Sequence, residues 1–252
     1  MKQRGVLNSL ILIALTQVCL GQNKAIVSVI YDVEYNFDFP VKANSILVFN
    51  DSISQYQIFD IENVILKHDL DVMLKLEANS NAEFLQTDIS KNKIKFVENI
   101  LDETFIIQEN RKTIDWLITS EKKMIGKFEC FKAVGSFRNR SYVVYFCPYI
   151  QSAFGPWKLN GLPGLILEAE ESNGLIRIFV KQVDVSASNF SFFDFNSSFK
   201  TISLREYVEL KEDMHNKITE LVNLKLPRGV KLEAVTGASN QNKIEIFDES
   251  DY

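Results

Sequence analysis

Few side chains in this sequence stand at the spacings that catalysis or metal binding requires. The two histidines, His68 and His215, lie far apart in the chain, and neither has a second His or Cys at ligand spacing beside it. The H-E-x-x-H, C-x-x-C and G-x-S-x-G patterns do not occur. We therefore expect no metal site, no cofactor and no catalytic residue, and we expect His215 to be a surface side chain.

Carboxylates are the remaining candidates for acid–base chemistry. Glu168 and Glu170 alternate along a predicted strand and so share one face of it, with Arg177 on the next strand. Paired carboxylates can act as general acid and base. We expect these two carboxylates to be solvated at a hairpin edge. An enzymatic interpretation would need them to converge with Arg177 and a histidine in one cleft.

Two cysteines, Cys130 and Cys147, lie on either side of a predicted turn at Arg138 and Asn139. A hairpin with that turn places them opposite each other, with Cβ atoms about 4.5–5.5 Å apart, close to the disulfide range. The alternative is two buried free thiols. The third cysteine, Cys19, would be lost with a signal peptide. We favour the disulfide, because the even number that remains permits one in an exported protein.

The N-terminus predicts export. Lys2 and Arg4 precede an apolar run over 6–15, and the small residues Cys19 and Gly21 fit a signal-peptide cleavage site. The run is too short for a membrane span of roughly 20 residues, and no later segment is apolar enough to cross a bilayer. Lipid attachment is the less favoured alternative, because the residues before the cysteine do not match a lipoprotein signal.

Composition restricts the partners. The chain has 252 residues, of which 46% are hydrophobic and 24% charged, as in a globular domain. The net charge is -5 and becomes more negative once Lys2 and Arg4 leave with the signal peptide. Binding nucleic acid requires clustered basic residues, so we expect no nucleic-acid partner.

Hydrophobic periodicity predicts a mainly β fold. Alternation over 24–39 predicts a long first strand, and the stretches 127–134 and 142–150 predict a hairpin. A second antiparallel pair is expected at 165–169 and 175–183, joined through an Asn-Gly turn. The stretch 61–76 fits a helix and a strand equally well.

One helix is predicted over 203–224, with Ser203 as its N-cap and Glu206 completing a capping box. The predicted fold is therefore a curved antiparallel sheet or open barrel with one C-terminal amphipathic helix packed against it. The domain organisation is a signal peptide over 1–21, a single β-rich domain over 22–240 and a solvated acidic tail over 241–252.

The segment 154–164, FGPWKLNGLPG, concentrates turn-forming residues around apolar side chains. Proline and glycine restrict such a loop to few conformations. We favour a buried cover over the end of the sheet, with an apolar edge presented to a ligand or partner as the alternative. The candidate binding residues are Gly155, Pro156, Trp157, Lys158, Gly161, Leu162, Pro163, Gly164, Leu165 and Ile166.

This segment belongs to a longer stretch, GPWKLNGLPGLILE over 155–168, that resembles the signature of the GLPGLI family. The resemblance extends upstream to WLITSEKKMIGKFECFKA over 116–133, and the Cys147-Pro148 pair departs from the usual pattern. The resemblance implies an exported protein of Bacteroidetes-type bacteria. The family has no assigned biochemical function and supplies no catalytic residues.

These observations predict an exported periplasmic or outer-membrane-associated binding or accessory protein that acts through the motif loop and a sheet face. The expected partner is an apolar small ligand or an envelope protein. A structural envelope-assembly component acting through protein contacts is one alternative. An enzyme is the least favoured.

Overall fold

The computed structural model describes residues 26–59, 84–100, 103–186, 198–227 and 243–251, together with Phe192, Asp194 and Phe195. The ambiguous stretch 61–76 lies outside the described residues. The strands are β1 (Ile26–Tyr35), β2 (Val41–Phe49), β3 (Ile53–Phe59), β4 (Phe84–Asp88), β5 (Lys93–Ile100), β6 (Glu103–Asn110), β7 (Leu117–Ile125), β8 (Phe128–Phe137), β9 (Arg140–Cys147), β10 (Leu165–Glu171), β11 (Ile176–Ser186) and β12 (Lys200–Ser203). The helix α1 (Leu204–Lys225) follows β12.

Two antiparallel meanders form one sheet. Strands β1 to β6 pair each with the next, β7 to β11 do the same, and β1 joins the two meanders by pairing with β11. The short β12 adds to the outside of β6 in parallel. The sheet does not close on itself, which confirms the predicted β-rich fold with a C-terminal helix.

Alternation assigns the two faces of the sheet. The side chains of Val29, Tyr31 and Val33 are fully buried on what we call the inner face, as the first-strand pattern predicts. On the outer face the later neighbours, Asp32 and Glu34, carry charge, and Glu34 pairs with Lys42 at 2.6 Å. The strand ends earlier than predicted, at Tyr35, because the chain turns there.

The predicted hairpin around Arg138 and Asn139 is confirmed as β8 and β9. Both turn residues have positive φ angles, 51° and 56°, as a two-residue type I′ turn requires. Arg138 is an unusual residue there, because an L-residue with a large side chain is disfavoured in left-handed backbone by about 1–2 kcal/mol. Its contacts, described below, hold it in place.

The helix α1 begins as predicted, with Ser203 accepting from the Glu206 backbone and the Glu206 carboxylate accepting from Ser203. Its first half packs on β5, β6 and β12 through Leu204, Tyr207 and Met214. Apolar side chains in the second half are exposed to solvent: Ile218, Leu221, Val222 and Leu224. Within the described ranges, no helix combines the length and apolar character that a bilayer crossing needs.

Gly164 allows the motif loop to pass against the end of β9. A Cβ atom at this position would lie 2.3 Å from the Cys147 carbonyl oxygen and 2.7 Å from Pro148 Cα. Both contacts are backbone atoms, so neither can move aside as a flexible side chain would. The final glycine of the motif is therefore a packing requirement of the fold.

Replacing Gly164 tests this close approach. Gly164→Ala should lower the free energy of unfolding by about 3 kcal/mol, because the added methyl group overlaps backbone. Gly126→Ala is the control: it has a left-handed φ of 56° but nothing within 4 Å of the new atom, so it should lose only about 1 kcal/mol. If urea titration gave the two variants the same loss in free energy of unfolding, the overlap between a Cβ atom at 164 and the backbone of Cys147 and Pro148 would be contradicted.

Candidate functional site

A cavity of about 1010 Å³ opens between the inner face of the sheet and α1. Strands β1 to β5 supply one wall, α1 a second, the motif loop a third and the C-terminal segment 243–247 a fourth. Aromatic side chains provide much of the lining, among them Tyr35, Phe37, Tyr56, Phe96, Trp157 and Tyr207. The exposed ring of Phe39 also lines it, where the chain turns between β1 and β2.

Most of the motif loop is buried rather than presented at the surface. Leu162, Leu165 and Ile166 belong to the main hydrophobic core. Gly155, Pro156 and Gly164 are also buried, whereas Gly161 and Pro163 are exposed. Of the ten residues expected to bind, the structure brings only two to the cavity, Trp157 and Lys158. The loop thus acts chiefly as a cover, and one end of it forms cavity wall.

Trp157 occupies a strained position. Its φ angle is 56°, in the left-handed region that a bulky residue adopts only when its surroundings enforce it. The indole packs edge-on against Phe137, with ring centroids 5.5 Å apart. A second tryptophan, Trp116, donates from Nε1 to the Asn160 carbonyl at 2.8 Å and fixes the other side of the loop.

Lys158 is a buried cation. Its side chain is 2% exposed, and its ammonium lies 2.6 Å from a Glu109 carboxylate oxygen and 2.8 Å from one of Glu245. Burial acts to lower the pKa of Lys158, but the negative charges of Glu245 and Glu109 outweigh it and raise the pKa above its ordinary value. The lysine is therefore charged and fully engaged by carboxylates.

Arg138 adds a second buried cation to the same place. Its guanidinium, at the tip of the β8–β9 hairpin, contacts Glu109, lies 3.2 Å from Glu245 and lies 2.5 Å from Asp251. A turn residue is usually solvated, but Arg138 is buried because the hairpin tip meets the C-terminal residues instead of water. We call Glu109, Arg138, Lys158, Glu245 and Asp251 the buried charge cluster.

The prediction of a solvated acidic tail fits Asp248 and Glu249, which are exposed, but not Asp251. The Asp251 side chain is 1% exposed and contacts Lys112 at 2.5 Å as well as Arg138. Burial acts to raise the pKa of Asp251, but these cations and the Asp248 backbone lower it overall. Asp251 leaves solvent because Arg138 and Lys112 attract its carboxylate.

Backbone contacts hold the same segment against the hairpin. The Ile246 amide donates to the Arg138 carbonyl at 3.3 Å, and Asn139 Nδ2 donates to the Ile246 carbonyl at 3.0 Å. Arg140, which is also buried rather than solvated, donates from Nε to the Lys243 carbonyl at 3.0 Å. The strained turn and the C-terminal segment thus stabilise each other.

A smaller polar group lies where α1 meets β5. Glu98 accepts from the Tyr207 hydroxyl at 3.0 Å, and its carboxylate lies 2.7 Å from the ammonium of Lys211. Tyr207 also packs edge-on against Phe96, with centroids 5.6 Å apart. This group ties the helix to the sheet and lines the cavity.

The two cysteines are free thiols, so the predicted disulfide is not formed. The register does place them opposite each other, since Phe131 pairs with Phe146 one position inward. Both are buried, and burial raises the pKa of Cys130 to about 12. A thiol with that pKa rarely forms the thiolate that disulfide exchange needs.

The carboxylates after the motif do not approach the cavity. Glu168 pairs with Lys123, and Glu170 pairs with Arg177 at 2.8 Å, all on the outer face. His215 is exposed on α1 at the cavity, and His68 lies outside the described residues. Among the described residues, no three His, Cys, Asp or Glu side chains are placed to hold a metal ion.

Comparison with known proteins supports the fold only. No family model matches the chain, and no curated protein matches it. Two solved structures of PNGF-II, from different crystal forms, superpose with a TM-score of 0.54 at 16% sequence identity. They cover 75% and 76% of this chain, but the chain covers only 34% and 33% of theirs, about a third of their length.

Neutralising Lys158 tests the buried charge cluster. Lys158→Met should lower the free energy of unfolding by about 4 kcal/mol, because it leaves buried carboxylates without a counter-charge. The control is Lys181→Met, which removes a half-exposed partner of Asp32 and should change stability by less than about 1 kcal/mol. A Lys158→Met variant as stable as the control in urea titration would contradict the cluster's role.

Proposed function

We propose that this protein is an exported binding protein that holds an apolar small molecule in the cavity between the sheet and α1. The observation that carries the proposal is the cavity itself, about 1010 Å³ and lined largely by aromatic side chains. Small-molecule sites are typically concave, mostly apolar and about 300–1,000 Å³ in volume, with a few polar groups that orient the ligand.

The density of the surrounding core supports a binding role. Side chains elsewhere on the inner face are packed to full burial, as with Leu47, Val144 and Leu167. The cavity beside this core is open to solvent, since the exposed side chains of Phe39, Glu212 and His215 lie on its lining. A small molecule can therefore enter it and cover the aromatic lining, which burial from water favours.

Export and family membership form part of the same proposal. The basic and apolar N-terminal pattern supports secretion to the periplasm or outer membrane. The GLPGLI-type stretch supports membership of that exported family. The motif's Trp157 and Lys158 lie in the cavity wall, which links the signature to the proposed ligand site.

Filling the cavity tests the proposal. The purified protein should bind the neutral apolar dye Nile red saturably, with a rise in fluorescence. Ala43→Trp, on the cavity wall, should weaken that binding at least about tenfold, which is about 1.4 kcal/mol, because the indole occupies ligand space. Val185→Trp, at an exposed position on β11, is the control and should bind as the wild type does.

Two results would contradict the cavity as the site. One is absence of saturable binding by the wild-type protein. The other is unchanged binding by a folded Ala43→Trp variant, with folding checked by circular dichroism.

A second candidate is contact with an envelope protein along β7. This strand ends the sheet as described, and three large apolar side chains on it, Leu117, Ile118 and Met124, are exposed. An exposed edge strand can pair with a strand from another chain, and the apolar side chains at the two ends of β7 add contact area beside its charged middle. The partner this edge fits is an extended segment of an envelope protein that adds to the sheet.

A site-specific crosslink tests this second candidate. A photoreactive amino acid in place of Met124 should give one discrete adduct in intact cells. The same replacement at Leu224, exposed on α1, is the control and should give none. No adduct at 124, or the same adducts at both positions, would remove the candidate.

A further inference from the structure

We propose that the cavity selects an uncharged apolar molecule. Glu98 contributes to this selection because it pairs with Lys211, a cation on the cavity wall that an anionic ligand would otherwise bind. The inference rests on the proposed function and adds the chemical class of the ligand. It predicts discrimination between molecules of equal size and apolar surface that differ only in charge.

Charge around the cavity is balanced. Among the residues that the structure describes, three cations line it, namely Lys158, Lys211 and Lys243, and three carboxylates line it, namely Glu98, Glu212 and Glu245. The exposed His215 adds a further titratable side chain to this described lining. The described part of the lining therefore carries no excess of either sign to attract a charged ligand.

The innermost cation is already bound. Lys158 is 2% exposed and contacts Glu109 and Glu245, while its ammonium also lies 4.3 Å from the centre of the Phe96 ring. A ligand carboxylate at this end would have to displace a buried carboxylate of the cluster. Breaking a buried ion pair is strongly unfavourable, so Lys158 is not an anion receptor.

The cation on the helix wall is held as well. Lys211 lies 2.7 Å from Glu98, and Tyr207 donates to the same carboxylate oxygen at 3.0 Å. An anionic head group approaching Lys211 would meet the negative charge of Glu98 at close range. Binding sites commonly exclude a competing ligand by placing a side chain of the same charge where that ligand would bind.

Lys243, Glu212 and His215 are exposed to water at the rim of the cavity, and the wall inside this rim is suited to apolar contact. Aromatic rings from the sheet, the motif loop and the helix surround the space, including Phe37, Phe96 and Trp157. Burying a charged group there without a partner is costly, whereas burying alkyl or ring surface is favourable. The lining thus favours a neutral molecule over an anion with the same apolar surface.

Matched ligands test the inference. 1-Dodecanol and dodecanoate should each be measured at pH 7.4 by displacement of Nile red from the full-length protein. Dodecanol should bind at least about tenfold more tightly, about 1.4 kcal/mol. Equal affinities, or tighter binding of dodecanoate, would overturn this inference and leave the proposed binding function standing. No binding of dye or of either ligand would overturn the proposed function instead.

Two variants test the part played by Glu98. Glu98→Gln frees Lys211 and should raise the affinity for dodecanoate by about tenfold with little change for dodecanol. Lys211→Met leaves Glu98 unbalanced and should weaken dodecanoate binding further. Glu103→Gln, exposed on the neighbouring strand and outside the cavity, should match the wild type. An unchanged ratio of affinities in Glu98→Gln, with folding intact, would show that Glu98 does not select.

Discussion

Burial of two cations, Arg138 and Lys158, is the constraint on which the arrangement of the inner face depends. An unpaired charge in a protein interior is several kcal/mol less favourable than one in water. Each side chain is 2% exposed, so carboxylates must reach them from elsewhere in the chain. Glu109 comes from β6, and Glu245 and Asp251 come from the C-terminal residues 243–251. The cluster thereby joins the motif loop, the β8–β9 hairpin and the C-terminus.

This joining also shapes the proposed ligand site. Lys158 and Glu245 serve both the cluster and the cavity wall, and the strained Trp157 lies beside them. The motif loop is therefore more than a cover, because one end of it fixes charges that would otherwise face a ligand. In the proposed function, the paired interior makes the site selective for apolar surface while the aromatic lining provides the contacts.

Much of the fold follows from local sequence patterns. Alternation identifies the inner face of β1, and the Ser203–Glu206 capping box marks the start of α1, because both signals act over a few residues. The charge cluster could not be predicted in this way. Glu109 and Glu245 are two among 33 acidic residues, and only the three-dimensional fold brings them to Lys158. The one local signal is that Lys158 is the only charged residue of the motif loop 154–164.

The cysteines illustrate a related limit of sequence reasoning. Register correctly places Cys130 and Cys147 opposite each other, since it follows from the turn and the alternation. Whether two facing thiols become a disulfide depends on the redox potential of their surroundings and on access of an oxidant, and both thiols are buried. The geometry could be predicted from the sequence, but the state of the thiols depends on packing.

The most direct measurement of the central constraint is hydrogen exchange at the Ile246 amide, followed by NMR. This amide donates to the Arg138 carbonyl, so a C-terminal segment held by buried charge should exchange it as slowly as the amides of β9. Exchange at the rate of an unstructured peptide would show that the segment is not held there, and that the charges of Arg138 and Lys158 are balanced in some other way.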